Sequence, residues 1–313
     1  LMRSVPGGPF SGERSLDPDI ERNFKARYNL DKPLHVQYLL ELKNYLRGDL
    51  GLSMKLRDFT IAEIIAQGFP ISASLGVLAL AFALVVGIAA GTVSAVRRGR
   101  ALDVVVMSAA TVGIALPEFI VAGLSILGFV FLVPLFPAGG WGSPQQLILP
   151  SICLGLPYAA YVARLSRTGM LDVLSQDYVR TARAKGLSSP AVVVRHALRG
   201  ALLPVVSYLG PATAGILTGS LVEERIFAIP GLGVHLIESA TQRDYTLAMA
   251  LTMLYTVILC GMNIAVDLFY VVLDPRTNAA PFFGDIQIVR ADVKTGLNGE
   301  GHACFQHAPP STD

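Results

Sequence analysis

Residues 177–187 read Asp177-Tyr178-Val179-Arg180-Thr181-Ala182-Arg183-Ala184-Lys185-Gly186-Leu187. After Ser188-Ser189-Pro190, a second segment ends Arg195-His196-Ala197-Leu198-Arg199-Gly200-Ala201-Leu202-Leu203-Pro204. This is a basic, helix-forming island in a chain that is otherwise mostly apolar. Gly186 falls where a helix ends, because glycine enters the left-handed conformation without a Cβ penalty. Ser189 followed by Pro190 is a restart signal, a serine N-cap with proline in the first helical position. The stretch therefore predicts a short helix, a sharp turn and a second helix that runs into a hydrophobic span. Arg180, Arg183, Lys185, Arg195 and Arg199 mark it as cytoplasmic if the flanking segments cross a membrane.

The surroundings are membrane-like. The 313 residues are 52% hydrophobic and only 15% charged, against roughly 25% charged in soluble domains. Mean hydropathy is +0.54. A membrane-crossing helix needs about 20 apolar residues, and five spans approach this. Residues 71–96 carry no charge, 104–133 only Glu118, 201–222 none and 246–273 only Asp267. Residues 147–162 are shorter and hold Pro150 and Pro157, while 201–222 holds Pro204 and Pro211. Proline inside a span is tolerated where neighbouring helices satisfy the freed backbone groups. The expected fold is thus an all-α integral membrane protein, a polytopic helix bundle. Gly87 with Gly91, and Gly215 with Gly219, are small residues four apart that permit close helix contact.

The loops orient the bundle. Arg97, Arg98 and Arg100 fill the first short loop, and residues 164–199 hold seven arginines and lysines. Residues 134–146 hold none, and 227–245 hold Arg243 alone. The positive-inside rule puts the two basic loops in the cytoplasm. Residues 1–69 then form an external N-terminal segment, with helices expected over 17–30 and 33–46. Residues 70–278 form the transmembrane domain with a cytoplasmic loop at 164–200. Residues 279–313 read as a polar, disordered tail. An exported segment with no span before it is awkward, and an additional N-terminal helix is the simplest repair.

Several chemistries are unsupported. A net charge of +2 gives no nucleic-acid footprint. Cys153, Cys260 and Cys304 are dispersed and form no CxxC pair, so inert thiols are expected. His302, Cys304 and His307 fit no zinc spacing, and no metal or cofactor is expected. No Gly-Lys-Ser or Gly-Lys-Thr is present, so the phosphate-cradling loop of a P-loop ATPase is absent and the chain is not read as an enzyme. Glu118 lies mid-span beside Pro117, where a charge costs at least about 2.5 kcal/mol. It is expected either to line a pathway or to pair with a neighbouring helix. Trp141 and Tyr158 are expected at membrane interfaces.

The 178–186 motif with Arg195-His196-Ala197-Leu198 and Leu203-Pro204 resembles the cytoplasmic signature loop of ABC importer permeases, in the variant of the peptide and nickel class. Arg180-Thr181-Ala182 stands where the general form has Glu-Ala-Ala, a departure usual in the peptide subfamily. Phe227-Ala228-Ile229-Pro230-Gly231-Leu232-Gly233 and Arg243-Asp244-Tyr245 resemble the external loop before the last helix. Asn263, Asp267, Tyr270 and Asp274-Pro275-Arg276 resemble the C-terminal signature. Residues 6–14, Pro-Gly-Gly-Pro-Phe-Ser-Gly-Glu-Arg, look most like the oligopeptide permease B-subunit branch. The family has six spans, and five are visible here.

The resemblance implies a type I importer permease that works with a second permease subunit, two ATP-binding subunits and an external substrate-binding protein. It implies that Arg180, Thr181, Ala182, Arg183, Ala184, Lys185 and Gly186 dock in an ATPase groove, with His196 in a capping or packing role. Glu224, Pro230, Gly231, Gly233 and Asp244 fall in the external loop. Glu223, Glu224 and Arg225 either meet the binding protein or form a solvated cluster, and Asp267 is expected in structural pairing. Oligopeptides are the favoured solute. Dipeptides, nickel chelates, glutathione and oligosaccharides stay open, because the binding protein filters first. A self-contained secondary transporter would need repeated broken helices and a mid-membrane charged relay, and only Glu118 is deep. An intramembrane enzyme would need a nucleophile–base or metal pair, and no histidine lies in any span.

Overall fold

The structure, a computed structural model, describes residues 31–56 and 59–273. The helix expected over 17–30 and the tail with His302, Cys304 and His307 lie outside the described residues, as does Asp274-Pro275-Arg276. The described residues are helical throughout, apart from loops and a single bridge between Leu52 and Thr60. In chain order the helices are α1 (Leu34–Leu46), α2 (Ile61–Val96), α3 (Ala101–Ala115) and α4 (Glu118–Leu132). α5 (Pro144–Leu174), α6 (Asp177–Ala184) and α7 (Ser189–Ala201) follow. α8 (Leu203–Ile226), α9 (Leu232–Thr241) and α10 (Tyr245–Leu273) complete the set.

Local chemistry sets the ends. Thr60 and Glu63 form a capping box at the start of α2. The Glu63 N–H donates to Thr60 Oγ1 at 3.2 Å, and the Thr60 N–H donates to Glu63 Oε2 at 2.8 Å. The helix therefore begins well before residue 70, and the expected boundary at 69/70 falls inside it, with Pro70 accommodated. The Thr-x-x-Glu pattern ahead of an apolar run is the signal that the sequence reading passed over. α5 likewise runs on to Leu174, so Arg164 and Arg167 sit on a helix, not in the expected loop.

The expected straight span over 104–133 is broken. α3 and α4 meet at 106° across Leu116-Pro117. Proline drives the residue before it out of the helical region, and Leu116 is extended at φ −82°, ψ 127°. Glu118 therefore opens a new helix instead of interrupting one. α7 and α8 bend by 53°. Three helices, α2, α5 and α10 up to Val266, are each long and apolar enough to cross a membrane, and the number rises to five if each bent pair counts as one span.

The most extensive interhelix packing is between α2 and α5. Leu75, Ala79, Ala83, Gly87 and Gly91 form a buried row at four-residue spacing on α2. A Cβ on Gly87 would lie 2.6 Å from the Ala159 carbonyl oxygen, and one on Gly91 2.3 Å from that of Ala163. From the other side, a Cβ on Gly155 would lie 2.6 Å from the Ala79 carbonyl oxygen. In hydrocarbon there is little hydrophobic drive between helices, so backbone contact through small residues supplies the packing.

The bundle has two distinct ends. At one, Ile61, Ile64, Leu232, Leu247 and Leu251 form a core joined by Tyr45 and Leu50. This gathers α1, α9 and the starts of α2 and α10. At the other, Ala95, Met170, Ala197 and Ala201 pack together, which joins the basic 97–100 turn to the 177–201 segment.

Candidate functional site

At the basic end, α6 is strongly amphipathic. Val179 and Ala182 are buried against Val192, with Val173 and Leu174 behind them. Arg180, Thr181, Arg183, Ala184 and Lys185 face outward. Gly186 adopts φ +83°, and nothing lies within 4 Å of where its Cβ would be. Its N–H donates to the Arg183 carbonyl at 2.9 Å, and the Leu187 N–H reaches back to Ala182 at 3.4 Å. These two bonds are the Schellman closure of a helix end. The restart differs by one residue from the expected cap: Ser188, not Ser189, is the extended residue ahead of the helix, and its side chain makes no capping bond. Arg195 and His196 fall in a π-helical turn, Val192–Ala197, where Arg195 is exposed and His196 half-buried. Such turns often occur at functional sites.

Next to this surface lies a group that the sequence reading missed. Asp103, 4% exposed, receives a bidentate contact from Arg167, with Nε 2.7 Å from Oδ1 and Nη2 2.9 Å from Oδ2. Ser94 Oγ and the Gly99 N–H also donate to it, at 2.5 and 2.9 Å. The carboxylate thus fastens the basic α2–α3 turn to α5. Nothing in the sequence pairs residues 64 apart, although a lone acid in an otherwise basic turn was visible.

At the opposite end, Glu223 and Glu224 are both fully buried. The solvated outer cluster left open for them is therefore not what forms. Arg225 alone points outward, paired with Glu238 at 2.9 Å. Glu224 Oε2 accepts from the Gly233 N–H at 2.7 Å at the start of α9, and Ser72 Oγ accepts from the Leu232 N–H at 2.8 Å. A Cβ on Gly231 would lie 2.4 Å from Glu224 Oε2, and one on Gly233 2.7 Å from it, so both glycines make room for the carboxylate. Pro230 is exposed beside them.

Asp244, 1% exposed, caps α10 through Oδ1, which accepts from the Leu247 N–H at 3.1 Å and from Thr246 Oγ1 at 3.0 Å. Its Oδ2 accepts from the N–H groups of Met54 and Lys55 at 3.0 and 3.2 Å, and from Ser53 Oγ. One side chain therefore ties the segment before α2 to the start of α10.

Glu118, in the first turn of α4, is half-buried and level with the middle of α5. Tyr158 Oη is 3.5 Å from its Oε1. Tyr158, expected at a membrane interface, sits mid-helix in α5, and its hydroxyl would be 2.4 Å from a Cβ on Gly215. Gly219 faces Glu118 itself, at 2.6 Å from Cβ to Oε2. Trp141 is 43% exposed in the loop before α5. Among the described residues, no group of three or more His, Cys, Asp or Glu is arranged to hold a metal ion.

The family described as "Binding-protein-dependent transport system inner membrane component" matches residues 83–279. The chain is 42% identical over 278 residues to the oligopeptide transport system permease protein OppB of Haemophilus influenzae, covering 88% of this chain and 91% of that protein. It is 46% identical over 276 residues to the dipeptide transport system permease protein DppB of Bacillus subtilis, covering 88% and 90%. Its fold is similar to a chain of the MetNI methionine ABC transporter in an inward-facing conformation, with TM-score 0.59 and 17% identity, over 68% of this chain and 97% of that one. The chain belongs to the family of inner-membrane components of binding-protein-dependent transport systems. It is a permease subunit of an ABC importer, and ATP hydrolysis belongs to separate subunits.

Proposed function

We propose that this chain is the permease subunit of an oligopeptide importer, forms half of the translocation pathway with a second permease subunit, and couples to two ATP-binding subunits through α6 and α7. An external binding protein delivers the solute to the end that carries α1 and α9. The observation that carries this reading is the build of the basic end. The outward cationic face of α6 is held on a buried core continuous with α5 and α2. A push on α6 is thereby passed to the long helices as a rigid-body motion and is not absorbed in a loose loop. The basic 97–100 and 177–199 segments lie in the cytoplasm, and the 227–245 loop lies outside.

The relatives named above differ in solute, so peptide length belongs in the test. The assay is uptake of radiolabelled dipeptides and tripeptides by cells that lack their own peptide importers and express this chain with its partner subunits. Uptake that requires ATP hydrolysis and favours tripeptides supports the reading. A preference for dipeptides moves it to that solute class, and uptake of neither peptide rejects it.

A further inference from the structure

Glu118 opens α4 and faces α8 at Gly219, where an added Cβ would lie 2.6 Å from its Oε2, and Glu223 stands one helical turn further along α8. Glu223 is fully buried, and among the described residues neither of its carboxylate oxygens has a hydrogen-bond partner. Glu118 is half-buried, with Tyr158 Oη 3.5 Å from its Oε1. One turn along α5 from Tyr158, Tyr161 stacks on Tyr208 of α8, with centroids 5.1 Å apart and planes 14° apart, and Tyr161 is 43% exposed. In lipid a mid-bundle carboxylate next to partly exposed tyrosines is unfavourable, so such groups mark a face turned toward a water-filled path. A half-buried carboxylate backed by a fully buried one attracts a cation, and the outer face of the exposed Tyr161 ring also favours one.

We propose that Glu118, backed by Glu223 and flanked by Tyr158, is a cation-accepting site on the translocation path that takes the ammonium group of a passing peptide. This rests on the oligopeptide reading above. The ammonium comes either from a lysine side chain or from the peptide's amino terminus, and Glu118 is the group that touches it. Gly219 keeps the space in front of the carboxylate clear.

The test uses the complete transporter reconstituted in liposomes, with uptake of Ala-Lys-Ala, Ala-Ala-Ala and Ala-Glu-Ala measured side by side. Glu118→Gln should lower uptake of Ala-Lys-Ala about tenfold relative to Ala-Glu-Ala, the loss expected of one charge-assisted contact. Glu118→Asp should keep the wild-type order. An equal loss for all three peptides that Glu118→Asp restores assigns the site to the amino terminus. An equal loss that it does not restore, or no change, overturns the proposal. If Glu118→Gln fails to assemble, Glu223→Gln decides: a smaller fall in the Lys-to-Glu uptake ratio supports the site, and an unchanged ratio overturns it. A wild-type transporter that takes up none of the three peptides rejects the oligopeptide reading instead.

Discussion

Arg167 grips Asp103 with two hydrogen bonds, of 2.7 and 2.9 Å, across the gap between α5 and the turn into α3. The aspartate is buried, and the Arg167 side chain is 26% exposed. The pair therefore belongs to the class in which removal of one partner strands a buried charge.

Arg167→Ala should lower the thermal midpoint of the detergent-solubilised protein, because it leaves the Asp103 carboxylate without its charged partner. Asp103→Leu with Arg167→Met should recover much of that loss, because it leaves no charge unpaired. A thermal-shift series over the wild type, the single variant and the double variant checks this. A double variant no more stable than Arg167→Ala would show that the pair is not what makes the single change costly.

Gly91→Val places a side chain where even a Cβ meets the Ala163 carbonyl oxygen at 2.3 Å. The expected cost is about 1–3 kcal/mol, the usual range for overpacking, with loss of folded protein from the membrane fraction. Gly123→Ala is the control, since nothing lies within 4 Å of its added Cβ. Fluorescence-detected size-exclusion profiles should separate the two clearly.

Gly186→Val meets open space but must hold φ near +83°, which costs about 1–2 kcal/mol for a residue with a Cβ. The strain falls on the turn between α6 and α7, and the spans are untouched. Membrane levels should stay normal, pull-down of the ATP-binding subunits should weaken, and peptide uptake should fall. Gly186→Asn, which tolerates the left-handed region, should retain most activity. Arg183→Glu should weaken uptake less than Gly186→Val, by placing a negative charge on the cationic face. Full uptake by Gly186→Val at normal expression would mean that this turn is not the coupling element.

Asp244→Ala removes the cap of α10 and the tie to residues 53–55 together. A lost cap alone costs about 1 kcal/mol. Backbone amides of Met54 and Lys55 should then exchange with solvent faster in hydrogen-exchange mass spectrometry, while those in the α2–α5 seam should not change. Asp244→Asn should give a smaller effect, because an amide oxygen still accepts at one of the two positions.

How far the sequence carried depended on the range of the interaction. The turn at Gly186 was legible because a left-handed residue after an amphipathic helix is a local requirement. The start of α2 was legible too, in Thr60 and Glu63, because a capping box is a local pattern of two residues three apart. The bend at Pro117 had its residue in plain view. Hydropathy alone read the stretch as one span, because hydropathy sums composition and carries no direction.

The sequence by itself determined the class of protein. Apolar length, loop charge and helix ends are sums or short-range patterns, and they define a polytopic bundle with a basic helix–turn–helix. Only the tertiary structure decided which charges meet. Asp244 finds Ser53 at a separation of 191 residues, and Arg167 finds Asp103 at 64. Burial of Glu223 and Glu224 was decided in the same way, by helices packed over them at the end of α8. Such pairings depend on the rotation and register of whole helices. Close packing of small residues between helices sets these, and one chain's order of residues does not display them.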